Sequence, residues 1–337
     1  MKFKIKILYM AFSFLTFSCN NLMSQKYEWY PTTCQINLYP MEIVAGQFVL
    51  PGQTIVRIPQ GHCGPNGWGS TGPTELVGPE QKPLPASLQL LWFSYIENKF
   101  YQGNFPLPTE ALAKIMKEDF TNANADGLYH IVVGCAPGGN VSVWIKAGQI
   151  TTEVGFFKAD AVDYDWKKFS GGLNTSREDY IATALHSALD SSEMKIASIP
   201  LGWKGKYDDD YRKKYSLSVT NNVEAQTSDA LISYFDGSGE YRLAQPAANK
   251  WSVHQTIPKR ILWHWKSKSG KELGTEINFD EAEIFDAFKK LNSEHPHAPL
   301  TLHTEIVSTT VYEVSLVLKN QFGAVALKKC EASTYEW

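Results

Sequence analysis

The clearest patterning of apolar and polar positions lies between Leu84 and Ile145. An apolar run over 88–95 predicts a strand, and beyond a polar connection Leu112, Ile115, Met116 and Phe120 recur at helical spacing, predicting a helix over 109–120. Thr109 stands where it can cap that helix, after Pro106-Leu107-Pro108. Strands are expected over 129–135 and 141–145, around the hairpin chemistry of Ala136-Pro137-Gly138-Gly139-Asn140, and a third over 150–157. Three sequential strands after a helix imply an antiparallel sheet with a helix on one face, an α+β arrangement.

Upstream, short apolar runs predict strands at 36–39, 48–50 and 54–58, separated by Gly46 and Pro51-Gly52. The stretch 59–85 holds six glycines and six prolines, so no regular element is expected there. A loop of that length is functional or disordered, and His62, Cys63 and Trp68 argue against simple disorder. Downstream, Ser176 and Asp179 form a capping-box pattern ahead of a stripe of Ile181, Ala184, Leu185, Ala188 and Leu189; His186, beside that stripe, reads as structural.

The second half repeats the plan. Strands are expected at 215–219, 230–235, 240–243, 261–265, 300–307, 311–319 and 324–329, with Asp280 and Glu283 capping a helix whose face is Ile284, Phe285, Phe288 and Leu291. Ile261-Leu-Trp-His-Trp265 aligns with Leu90-Leu-Trp-Phe-Ser94. Trp92 precedes Thr109 by 17 residues and Tyr129 by 37; Trp263 precedes Asp280 and Leu300 by the same intervals. The expectation is an α+β chain of two tandem units of antiparallel β-sheet, each packed by one helix: 27–170 with the Gly/Pro-rich loop 59–85, a helical connector over 171–195, and a divergent copy over 196–337. The loop is peculiar to the first.

Composition narrows the function classes. A length of 337 residues suits about two domains. A net charge of −3 lacks the basic excess of a nucleic-acid binder. Ten tryptophans serve first of all as core. At the N-terminus Lys2, Lys4 and Lys6 precede an apolar run over 7–17, a signal-peptide pattern (1–18) shorter than the roughly 20 residues of a membrane span. Leu15-Thr16-Phe17-Ser18-Cys19 resembles a bacterial lipobox with its Leu one place further back. That resemblance implies lipidation (palmitate) at Cys19, a tether over 19–26, and a protein on the periplasmic face of the outer membrane. Four other cysteines allow three pairings; a Cys34–Cys63 disulfide would pin the loop, while Cys135 reads as a buried free thiol.

Searches for chemistry return little. No Gly-x-Ser-x-Gly elbow, His-Glu-x-x-His, Walker loop or dinucleotide fingerprint occurs. Gly64-Pro-Asn-Gly67-Trp-Gly69 does not join a strand to a helix, and the calcium-like spacing over 122–126 fails because its twelfth position is Val133. His295, His297 and His303 read as surface residues. No cofactor, metal or catalytic residue is therefore expected.

At Trp92-Phe-Ser94-Tyr95, Lys99-Phe-Tyr101, Leu107-Pro108 and Gly138-Gly139-x-Val141-x-Val143-Trp144 the chain resembles a family of bacterial lipoproteins known as domain of unknown function 2931. The likeness covers roughly 27–169 and implies a fold, handing over no catalytic residues; some members look like neighbours of secreted antibacterial effectors, which implies an immunity role. The leading expectation is a monomeric, non-enzymatic lipoprotein that binds a protein partner, such as a toxin acting at the envelope, through His62, Asn66 and Trp68 of the loop. The alternatives are a glycan- or envelope-binding lipoprotein and an unrecognised hydrolase.

Overall fold

The computed structural model of the chain describes residues 25–63, 67–76, 78–117, 128–197, 210–223, 227–243, 253–308 and 312–336. Contacts divide it into two compact units, Met1–Leu201 and Gly202–Trp337. Strands in open sheets dominate, with five helices among the described residues. The segment 171–195, expected to join the units, lies within the first.

The first unit runs β1 (Lys26–Gln35), β2 (Met41–Val49), β3 (Ile55–Arg57), β4 (Gly61–His62), β5 (Gln81–Pro83), β6 (Ser87–Ser94), β7 (Lys99–Pro106), α1 (Thr109–Ile115), β8 (Tyr129–Ala136), β9 (Asn140–Ala147), β10 (Ile150–Lys158), β11 (Asp160–Val162), α2 (Trp166–Phe169), α3 (Arg177–Ala188) and α4 (Ser191–Ala197). Its strands lie in two orders, β10-β9-β8-β1-β5 and β11-β7-β6-β2-β3, with β4 also on β2. The hairpin and three strands expected over 129–157 are present, and of the helix expected over 109–120 α1 covers Thr109–Ile115, with Phe120 outside the described residues. Leu112, Ala113 and Met116 are buried by α1 and its C-cap, and Gly138 and Gly139 take positive φ in the turn between β8 and β9.

Three expectations are corrected. Residues 36–39 form a turn, with Leu38 at φ 71° and Tyr39 N–H donating to the Ile36 carbonyl. The polar connection after Tyr95 contains an eight-residue strand, β7, which pairs with β6 along its whole length because Phe100, Tyr101 and Phe105 are buried. The sheets are not wholly antiparallel: β1 joins β8 in parallel, Trp29 opposite Tyr129 and Gln35 opposite Cys135. That pairing links segments too distant for any local turn to announce it.

The second unit runs β12 (Tyr215–Asn221), β13 (Thr227–Tyr234), β14 (Gly239–Leu243), β15 (Val253–Gln255), β16 (Pro258–Lys266), β17 (Glu272–Asn278), α5 (Glu281–Glu294), β18 (Leu300–Ser308), β19 (Tyr312–Lys319), β20 (Ala324–Leu327) and β21 (Glu331–Glu336). Within it β15-β12-β18-β19-β20 and β21-β17-β16-β13-β14 lie side by side, and β12 runs parallel to β18. Asp280 caps α5 by accepting the Glu283 N–H at 2.8 Å, and Ile284, Ala287, Phe288 and Leu291 are buried along it.

Candidate functional site

The residues singled out from the sequence separate in space. Cys19 and Asn66 lie outside the described residues. His62 ends β4 with an exposed side chain stacked on the Tyr95 ring, centroids 5.7 Å apart. Its Nε2 stands 3.8 Å from Glu42 Oε2, beyond hydrogen-bond distance, while that carboxylate accepts the Tyr95 hydroxyl. Burial and the Glu42 charge raise the Tyr95 pKa, so the phenol stays protonated. The cluster ties β4, β2 and β6 together and contains no activated nucleophile.

Trp68 belongs to the core. It is 8% exposed and meets Trp144 edge to face at 4.8 Å, in a seat left open by Gly134, where a Cβ would come within 2.7 Å of the Trp68 ring. It therefore cannot present itself to a partner. The pin expected of a Cys34–Cys63 disulfide is supplied by other bonds, and both cysteines are free thiols. Thr32 Oγ1 donates to the Pro73 carbonyl at 2.8 Å and accepts the Gly72 N–H at 3.1 Å, the Glu75 N–H reaches the Pro31 carbonyl at 3.3 Å, and the backbone of Gly69 and Ser70 hydrogen-bonds to Cys34.

The outward face of the sheet β11-β7-β6-β2-β3 brings polar groups together where no sequence motif marked them. Half of this face is apolar and covered: Phe93, Tyr95 and Phe100 form a cluster with Ile181 of α3, joined by Leu91, Trp166, Phe169 and Tyr180. The other half is open. One rung across four strands reads Arg57, Gln47, Gln89 and Asn104, each opposite the next. At the usual strand spacing that rung spans about 14 Å. Gln47 Nε2 donates to Gln89 Oε1 at 2.8 Å, which fixes both side chains on one face.

The rung lies in a cleft of about 730 Å3 lined by these four residues with Gln60 and Gln102, over Ala45, Leu90 and Leu91. Its volume is that of a small-molecule site. Its chemistry is that of recognition: a carboxamide donates and accepts but does not titrate, and a guanidinium stays charged throughout the physiological range. Among the described residues Arg57 has no ion-pair partner.

A second cleft of about 430 Å3, between β3 and the β5 region, has Lys26, Arg57, Lys82 and Glu75 among apolar residues. Lys82 is buried there, its Nζ 5.0 Å from the Trp29 ring centre and donating to the Pro79 and Glu80 carbonyls. Burial lowers its pKa, and the nearby Glu28 charge opposes that shift. Neither cleft brings together the two carboxylates that glycoside hydrolysis uses.

Sequence reasoning missed the cleft because its side chains come from four strands, one of them, β7, unrecognised. The available signal was the placing of Gln89 between Leu88 and Leu90, and of Gln102 and Asn104 between Tyr101 and Phe105. Residues 16–202, more than half of the chain, match the model of a family described as protein of unknown function (DUF2931). No curated protein and no solved structure matches the chain. The matched span ends at the contact boundary after Leu201, so α3 and α4 belong to the part the family shares.

Proposed function

We propose that this chain, which belongs to the family of proteins of unknown function DUF2931, is a lipid-anchored, non-enzymatic binding module of the cell envelope that holds its ligand on the open sheet face of the first unit. The observation that carries the reading is the cleft: five carboxamides, one guanidinium and an aliphatic floor offer hydrogen bonds and a positive charge, with no group that exchanges protons near neutrality. The family match begins at residue 16, within the lipobox-like Leu15–Cys19, and a polar tether over 19–26 would let the unit stand off the periplasmic face of the outer membrane.

The shared order of strand pairing supports reading the chain as two copies of one scaffold. Parallel pairs β1/β8 and β12/β18, each with an antiparallel neighbour on both sides, and the series β7-β6-β2-β3 and β17-β16-β13-β14 correspond one to one. The toxin-neutralising form of the module rests on the family resemblance; with Trp68 buried, its contact would fall to the cleft.

Anchorage is tested by feeding labelled palmitate to a bacterial host making the chain or its Cys19→Ala variant. The full chain should carry label and fractionate with membranes, and the variant should do neither. An unlabelled full chain, or a variant as strongly labelled, removes the anchor. Loss of protection against neighbouring cells on deletion, with recovery of a toxin by cross-linking, would establish the immunity form; unchanged survival with no toxin recovered would eliminate it.

A further inference from the structure

We infer that the open cleft is a site for an acidic oligosaccharide, whose hydroxyls are held by Gln47, Gln89 and Asn104 and whose carboxylate is held by Arg57. The inference rests on the binding-module reading above and names its ligand class. A sugar hydroxyl both donates and accepts, and the carboxamide supplies both functions from one planar, uncharged group. The Gln47–Gln89 bond uses one N–H of the first and one lone pair of the second, leaving the Gln47 oxygen and the Gln89 amino group for a ligand. Ala45 and Leu91, on the same face as Gln47 and Gln89, supply an apolar floor for the C–H face of a ring.

Arg57 sets the charge. It stands exposed at one end of the rung, and a guanidinium takes a carboxylate through two parallel hydrogen bonds. A single cation in the lining suits a glycan with an isolated carboxylate and is too little for a polyanion. The lining has no aromatic side chain on which a nucleobase would stack. An extended peptide captured by strand addition needs a free edge; β2 and β6 are paired on both sides, and the edge strand β3 offers only three residues, Ile55–Arg57. Over the middle of the rung, recognition falls to side chains.

The second unit provides a contrast. Counted from Trp92 and Trp263, Gln89 opposite Asn104 and Leu91 opposite Gln102 correspond to Arg260 opposite Asn278 and Leu262 opposite Glu276. There Arg260 Nε binds Glu276 Oε1 at 2.7 Å, so the polar groups satisfy each other. The equivalent positions of the first unit are uncharged.

The test takes the full lipidated chain in detergent against a panel of uronate- and sialate-bearing oligosaccharides, their carboxyl-reduced neutral counterparts, and short peptides with free C-termini. We expect an acidic saccharide to bind and its reduced counterpart to bind about tenfold or more weakly. Arg57→Ala should erase that difference, and Gln89→Leu should weaken both ligands by about tenfold. Arg260→Ala should leave binding unchanged, and thermal unfolding will check that each variant folds. The inference is overturned if no acidic saccharide in the panel binds, if binding survives both cleft substitutions, or if the cleft takes the peptides in place of the saccharides. Such a failure would remove this ligand class alone, because palmitate labelling reads anchorage independently.

Discussion

Cys34, Cys63 and Cys135 are fully enclosed thiols close enough for each charge to be felt by another. Burial pushes the Cys34 pKa up, against the lowering effect of the Gly69 N–H, and pushes Cys63 up to about 12 although the Thr33 hydroxyl lowers it. Cys135 is raised well above 9.0 by burial and by its two neighbours. The folded chain thus keeps protons that the unfolded chain releases above the ordinary thiol value of 9.0. Their contribution to stability is complete below that value and is lost as pH rises toward the folded pKa, at up to about 1.4 kcal/mol per pH unit and thiol. Urea unfolding should show stability falling from about pH 9, and thiol titration in denaturant should count Cys34 and Cys63 as reactive. A chain oxidised between them would lose two thiols and show a shallower slope. Gly134 offers a second check: a Cβ there would lie 2.6 Å from Trp144 and 2.7 Å from Trp68. Gly134→Ala should destabilise by about 1–3 kcal/mol, read as a lower Tm with altered tryptophan fluorescence. Nothing near Trp68 in the chain reveals this fate, because its seat is made by residues of two distant strands.

Local chemistry reads out helices well. The Ser176 cap accepts the Asp179 N–H at 3.0 Å and Asp280 accepts that of Glu283, both as their spacing implies. Strands with irregular alternation read poorly. In β7 the Gln-Gly-Asn of 102–104 resembles a turn, yet Gly103 lies under its own neighbour, where a Cβ would come within 2.1 Å of the Phe105 ring. For α3 the stripe read from the sequence is partly the docking face: Ile181 is buried and Ala184 and Leu185 pack beside it against Phe93, Tyr95 and Phe100, while Ala188 is exposed. Arg177 does much of the holding: its guanidinium lies 4.9 Å from the Trp166 ring centre and 5.5 Å from those of Phe93 and Phe100. It also donates to Asn98 Oδ1 at 2.6 Å and to the Asn98 carbonyl at 3.0 Å. Arg177→Ala should cost about 1–2 kcal/mol and raise amide exchange in α3 while leaving β8 and β9 protected; Arg177→Lys should restore little, because an ammonium replaces neither the stacking plane nor the fork.

Across the whole molecule, the two units share an order of strand pairing, whereas the cleft depends on what differs between them. The 37-residue interval from each strand tryptophan lands on the first residues of β8 and β18, the parallel partners of β1 and β12. Spacing could therefore mark where a strand begins without showing that it runs alongside a partner far upstream. The parallel pairing also sets a timetable. Trp29 meets Tyr129, so β1 acquires its parallel neighbour only after a hundred residues have followed it. Closing a loop of that length costs about 4 kcal/mol in chain entropy before the sheet returns any of it. A chain synthesised from its N-terminus cannot complete the first unit until β8 is available, and such non-local pairing makes for slow folding. Until β8 arrives, the backbone of Trp29–Gln35 lacks the partner that the finished sheet gives it.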